Sequence, residues 1–430
     1  MAELSLVQSH HILPAEEKLP GTGASPQVEP VAVVPEKSTS TDALATANSE
    51  LVAHAAEWIY PDGGLRAWLV VLGCFIMAST CIAWGLVWGV FEDYYHSNKF
   101  AGTRLSTLSL VGGLFSFTLN ASAFATKLYQ VFLFQGCLLG LSWGISMPLY
   151  MALPSQWFLR KRGLATGIAI AGSGMGGAAW SLVVRSLLSN LGYRNTMLVC
   201  SNLYAVLWTA AWFMIAERRP AGYRDIQKRW LPQNTGPVFY SIALSVFVGI
   251  FGYLSPYYFI TTYVKSQVPS LDPESILVVV PLVLMSMSGG FGRILAGRMA
   301  DRLGSINMFF TSFFLGGLAQ IFIWTFAHSY ASILVFGVIY GLVGGWFLNL
   351  LPVVCAQLFG LNDLATITGF MVLANSPGQL SGASIGGAVF SASGGNWRAV
   401  SLYSGCTMLV GSCFVLFARF SHDKRVWAKI

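Results

Sequence analysis

The sequence predicts an all-α polytopic membrane protein built as two helical bundles, and three observations predict it. Hydrophobic residues make up 55% of the 430 positions and charged residues only 10%, against roughly 25% charged in soluble domains. The charges cluster and leave apolar stretches such as 67–91 and 276–295, each matching the about 20 residues that cross a hydrocarbon core of about 30 Å. Finally, the second half of the chain repeats landmarks of the first. Only helices and closed barrels satisfy their backbone in lipid, and unbroken apolar runs choose helices.

Taken in order, residues 1–57 are read as a disordered cytoplasmic tail. They carry Pro14, Pro20, Pro26, Pro30 and Pro35, with two lysines against eight acidic residues, too little apolar surface to order the segment. No basic n-region precedes an apolar h-region, so no cleaved signal is expected. Eleven spans follow at roughly 67–91, 106–126, 129–153, 164–187, 195–216, 238–260, 276–296, 307–327, 331–353, 365–390 and 399–420. They divide into a shortened N-terminal bundle (58–216), a linker (217–237), a C-terminal bundle (238–420) and a short tail (421–430). The linker contains Arg218, Arg219, Arg224, Lys228 and Arg229 and is placed in the cytoplasm by the positive-inside rule. The formal charge of +7 is therefore read as loop charge facing lipid headgroups, not as nucleic-acid binding. The cysteines (Cys74, Cys81, Cys137, Cys200, Cys355, Cys406, Cys413) all fall in apolar segments without ligand spacing; they are read as small hydrophobes, with no metal or cofactor expected.

The repeat has a near-constant register. Tyr129, Gly136, Gly140, Gly144 and Gln156 recur 201 positions later as Tyr330, Gly337, Gly341, Gly345 and Gln357, and Leu164-Ala-Thr recurs as Leu364-Ala-Thr after 200. Parallel repeats of this kind relate the two bundles of some transporters. The repeat also exposes a shortfall. Ala67 to Tyr129 covers 62 positions, whereas the matching stretch from Val238 to Tyr330 covers 92, so the first half lacks about one helix and a tight loop. Charge parity agrees, because the connection 92–104 would have to lie on both sides of the membrane. A helix is missing there, the first span is inserted backwards, or the acidic tail is outside.

Two motifs carry a family resemblance. Pro61-Asp62-Gly63-Gly64 precedes the first span, and Gln156-Trp-Phe-Leu-Arg-Lys-Arg-Gly-Leu-Ala-Thr-Gly-Ile-Ala-Ile-Ala-Gly-Ser-Gly174 leads into a glycine-rich one. Together they resemble the monocarboxylate porter family of the major facilitator superfamily. Gly89-Val-Phe-Glu-Asp-Tyr-Tyr95 resembles its fungal branch. The resemblance implies the major facilitator fold, with about 11 spans in place of 12 and helix 2 missing. Gly297-Arg298-Met-Ala-Asp301-Arg302-Leu-Gly304 is similar to that superfamily's loop between helices eight and nine. It implies a conformational latch formed by Arg298, Asp301 and Arg302, with Asp301 at a helix N-terminus; a basic solvated loop is the plainer alternative. In the porter family a helix-eight arginine engages the substrate carboxylate, and Arg293 matches it, about four residues from the cytoplasmic end of its span. A snorkelling anchor is the alternative for that position. The family's coupling aspartate and lysine are replaced here by Gly289 and Leu86, which weakens the expectation of proton coupling. Gly167, Gly172, Gly174, Gly176 and Gly177, and Gly378, Gly382 and Gly386, offer smooth faces for sliding or for static packing.

Polar and aromatic residues inside spans complete the candidate substrate site: Asn349, Asn375, Gln379 and Tyr257, with Tyr253 and Asn202 beside them. Pro377 lies between Asn375 and Gln379 and is expected to break that helix near mid-membrane, a common place for a transporter site. The expected function is secondary transport of a small organic molecule or anion by alternating access, with export of a metabolite favoured over uptake of a carboxylate or nutrient. No Gly-Lys-[Ser/Thr] phosphate loop supports an ATP-driven pump, and no catalytic constellation lies within the spans, so an enzyme is not expected. A non-transporting receptor or inactive truncated product is the alternative of another class. The expected location is the plasma membrane.

Overall fold

In a computed structural model of the chain, the described residues are 60–94, 125, 127–131, 133–134, 147, 150–216, 235–272, 275–361 and 364–422, with backbone alone for 81–94, 365 and 422. The expected span at 106–126, most of 129–153, the tail 1–57 and most of the linker lie outside them. Among the described residues all regular structure is helical. The main helices are α1 (Leu65–Tyr94), α2 (Arg162–Met214), α3 (Pro237–Tyr253), α4 (Ser255–Gln267), α5 (Val280–Leu303), α6 (Ser305–Leu318), α7 (Tyr330–Gly344), α8 (Trp346–Phe359), α9 (Leu364–Ala392) and α10 (Trp397–His422).

α2 is a helical hairpin. Gly192 adopts φ 69° and ψ 175°, a left-handed φ that glycine enters without steric cost. The rings of Trp180 and Tyr204 then meet at 4.5 Å. A straight helix would hold these residues about 36 Å apart at 1.5 Å per residue, so its two limbs are the separate spans read at 164–187 and 195–216.

α3 and α4 form one broken span. Pro256 has no N–H to give to Gly252, four residues back, and that freed carbonyl accepts from Gln320 Nε2 at 3.3 Å. Gln320 sits in a π-helical turn, Ala319–Ile323, that follows α6 and re-aims its side chain into the core. Tyr340 supports the same break, its hydroxyl donating to the Tyr253 carbonyl at 2.7 Å. From α2 onward chain direction alternates span by span, α3–α4 and α7–α8 each counting as one. The loops around 158–164 and 304 and the end of α8 therefore share one face, the basic end. The loops around 268–279, 327–329 and 393–396 share the opposite face, the far end.

Three expectations are corrected. α9 runs unbroken through Pro377, because one lost donor in a long packed helix does not stop it; the mid-membrane break falls at Leu254–Pro256 instead. α5 continues to Leu303, since helical hydrogen bonding persists where hydropathy ends. The segment Gly297–Leu303 is thus the helix's last turns, and the connection to α6 is Gly304 alone, at φ 100°. Arg293 consequently lies ten residues before the end of α5, about 15 Å along the helix axis.

The two halves meet along α2 and α5, and again where α1 reaches α4. A Cβ added at Gly167 would stand 2.6 Å from the Arg293 carbonyl, and one at Gly174 would stand 2.5 Å from the Ser286 carbonyl. Gly172 and Gly176 face the other way, onto the backbone of Phe75 and Ser79 in α1. One face of this helix therefore packs inside its own half and the other across to the second half. Gly378, Gly382 and Gly386 of α9 meet Ile250, Phe251 and Phe259 of α3 and α4, a contact within the second half.

Candidate functional site between the two halves

Arg293 is fully buried, although a charge within a span is costly unless it has a partner or a cavity. Its Nε donates to the Gly345 carbonyl at 3.4 Å and its Nη2 to the Tyr253 hydroxyl at 3.3 Å. Its Nη1 has no partner, and no carboxylate pairs with it among the described residues. Asn349 Nδ2 donates to the Arg293 carbonyl at 3.3 Å, which ties α8 to α5 at this level.

Glycines from both halves let backbone pack close around Nη1. A Cβ at Gly289 would lie 3.5 Å from the Tyr257 hydroxyl and 3.9 Å from Nη1, and a Cβ at Gly174, from the first half, would lie 2.8 Å from Nη1. Among the described residues, the Tyr257 hydroxyl, Ser286 Oγ and Asn349 Oδ1 are also buried without partners. Arg293, Tyr257 and Asn349 are thus brought together on α4, α5 and α8. Tyr253 and Tyr340 frame them, with rings 5.5 and 6.0 Å from that of Tyr257. Asn375 is buried with Oδ1 unpartnered and Gln379 is half-buried, but no hydrogen bond joins either to Arg293 among the described residues. Such a site presents donors and one full positive charge in a desolvated setting, which suits an anionic group.

At the basic end, Asp301 closes the seam. Its Oδ1 accepts the Gly163 N–H at 2.7 Å and its Oδ2 the Leu164 N–H at 2.9 Å, so a carboxylate of α5 caps the positive N-terminus of α2. Arg298 and Arg302 are exposed. On the other side of the same loop, Asp62 Oδ1 accepts the N–H groups of Leu159 and Arg160 at 2.7 and 2.8 Å. The two sequence motifs therefore meet in space. At the far end Arg185 of α2 donates to the Ser275 carbonyl at 3.1 Å, a second bridge between the halves.

The sequence reading passed over Arg185, Gln320 and Tyr340. The first two carried a usable signal, a charge and an amide within apolar spans; Tyr340 carried none, since a tyrosine in a span is ordinary. No group of three His, Cys, Asp or Glu side chains able to hold a metal occurs among the described residues.

Two helical halves with a buried cation at their seam and a hydrogen-bonded closure at one end define an integral membrane transporter of the two-bundle kind. The sequence matches the Major Facilitator Superfamily over residues 62–310 and 276–429, and the chain belongs to that superfamily. It is 28% identical to the MFS transporter asaE of Aspergillus flavus, covering 84% of this chain and 88% of that protein. It is 29% identical to the agnestins efflux protein AgnL12 of Paecilomyces divaricatus (82% and 87%) and 27% identical to the aspyridones efflux protein apdF of Emericella nidulans (84% and 79%). Among solved structures, the E. coli fucose:proton symporter FucP shares the fold, with TM-score 0.52 at 12% identity over 86% of this chain and 98% of that one; FucP in its outward conformation gives 0.50 at 12% identity over 87% and 95%.

The alignments also measure the internal shortfall. With asaE, 84% of 430 residues is about 361, so about 31 of the 392 aligned positions are filled by the relative alone. With AgnL12, 82% is about 353, leaving about 36 of 389. Both agree in size with the roughly one helix that the internal repeat finds absent.

Proposed function

We propose that this chain exports a small organic acid, or a metabolite bearing an anionic group, by alternating access across the plasma membrane, and that it belongs to the monocarboxylate-porter-like fungal branch. The observation that carries this reading is the unpartnered Nη1 of fully buried Arg293, facing Gly174 of the other half. A substrate anion there completes the hydrogen bonding of a desolvated cation, with the Tyr257 hydroxyl as a further donor, Asn349 holding the Arg293 backbone in place, and Asn375 and Gln379 lining the path from α9. Asp301, with Arg298 and Arg302 near the headgroups, acts as the cytoplasmic latch, and the halves 58–216 and 238–420 rock about the bound substrate. Export is favoured because relatives are named as efflux proteins and because Gly289 and Leu86 stand where the porter family keeps its coupling aspartate and lysine.

Flux of radiolabelled aromatic and aliphatic carboxylic acids through proteoliposomes tests this. Truncating one side of a buried charge pair costs about 2–5 kcal/mol, so Arg293→Ala is expected to lower apparent affinity about thirtyfold or more, with Arg293→Lys intermediate. Unchanged flux of every anion in Arg293→Ala refutes the site. The shortfall of about 31 aligned positions favours a second reading, a protein that binds but does not transport; saturable binding without flux in the same vesicles distinguishes it.

A further inference from the structure

We propose that the far end of the second half carries a separate binding site for a small organic anion with an aromatic or compact apolar body. A cavity of about 160 Å³ opens there between the ends of α4 and α10 and the turn before α7, with Tyr263, Trp324, His328, Asn396, Trp397 and Arg398 in its wall. That volume is below the roughly 300–1,000 Å³ of drug-sized sites and admits one small acid. Tyr263 lies ten residues beyond Tyr253 along the α3–α4 span, about 15 Å by helical rise, so the cavity is distinct from the Arg293 cluster.

Two independent observations point to a ligand. Trp324 is 1% exposed, yet its indole N–H has no partner among the described residues. A buried donor left unmade is costly, and this one belongs to a residue of the cavity wall. The ring cannot readily turn to find a partner elsewhere, because it stacks on Phe336 at 5.5 Å and meets Tyr263 edge-on at 6.0 Å. The second observation is Arg398. Its backbone N–H is taken by Asn396 Oδ1 at 3.0 Å, but its guanidinium, at the cavity mouth, makes no hydrogen bond or ion pair among the described residues.

His328 Nδ1 pairs with Gln267 Oε1 at 3.1 Å in the wall, and the unspent Arg398 guanidinium and Trp324 indole N–H are donors. No acidic side chain lines the cavity among the described residues. The Tyr263 hydroxyl is already spent on the Ala327 carbonyl at 2.9 Å, and Thr325 is paired with Ser401. An unspent guanidinium and an unspent indole N–H select a carboxylate, while the edge-on pair Tyr263 and Trp397, 5.4 Å apart, offers faces for an apolar body. This inference does not rest on the reading of Arg293.

Site-specific protection in the full-length protein, reconstituted in lipid nanodiscs, tests the proposal. Asn396→Cys places a thiol in the cavity wall, and its alkylation by a maleimide is followed above the labelling of the wild-type chain as benzoate is added. Saturable protection by benzoate is expected. Adding Arg398→Gln should raise the half-protecting benzoate concentration at least about tenfold, the usual worth of a hydrogen bond to a charged group. Trp324→Phe should raise it several-fold, while Arg293→Ala should leave it unchanged. Absence of benzoate protection, or protection that survives Arg398→Gln and disappears in Arg293→Ala, overturns the separate site.

Discussion

Gly174→Ala and Gly176→Ala introduce the same methyl two residues apart on one helix, yet they should have different consequences. At Gly174 the new carbon would sit 2.5 Å from the Ser286 carbonyl and 2.8 Å from Arg293 Nη1, across the seam. At Gly176 it would sit 2.7 Å from Ser79 Cα, within the first half. Ordinary contact begins at 3.4 Å, so either helix pair must separate by about 1 Å. Overpacking of this size typically costs about 1–3 kcal/mol. If the α2–α5 seam opens during transport, Gly174→Ala destabilises only the state in which the seam is closed, and about 1–3 kcal/mol shifts that equilibrium about 5- to 150-fold. Gly176→Ala strains every state alike and lowers thermal stability instead. The assay is the distance between spin labels at positions 160 and 302, exposed residues on either side of the seam, in a cysteine-free background. Gly174→Ala should populate a longer distance, and Gly176→Ala should lower the melting temperature with the distance distribution unchanged. Equal loss of stability in both, with neither distribution moved, refutes the reasoning that this seam is the moving one.

Two further outcomes follow from local accounting. Gln320→Leu strands the carbonyl that Pro256 leaves free, a loss of about 1–3 kcal/mol in a dry core; in a Pro256→Ala background, where the backbone N–H can return to Gly252, the same change should cost less, and equal losses measured by thermal melts in both backgrounds would show that the amide does not serve the break. Asp62 holds two N–H groups at a φ of 50°, a conformation asparagine tolerates better than alanine. Asp62→Asn should therefore lose little stability and Asp62→Ala about 1–2 kcal/mol, the range of a lost cap, and similar melting temperatures for the two variants would exclude the capping role.

Much of this protein was legible in the sequence because a bilayer imposes few solutions. Length and hydropathy determined that the chain is helical and spans the membrane, and the near-constant offset from Tyr129 to Tyr330 announced two related halves. Arg293 stood out for the same reason, since a charge in lipid demands an explanation. Helix ends were less legible. Hydropathy stops α5 at about residue 296, but hydrogen bonding carries it to Leu303 and so sinks Arg293 to mid-helix. Pro377 and Pro256 look alike in sequence. Only the second sits where another helix supplies an amide to the orphaned carbonyl, and only there does the span break. The tertiary structure alone decided which glycines face which helix, that Asp301 caps α2, and that the Tyr257 hydroxyl and an unspent guanidinium nitrogen meet across Gly289. Composition sets the solvent a chain is made for, but a site depends on directions in space, and these arise when separate helices, each already stable in the membrane, choose their neighbours.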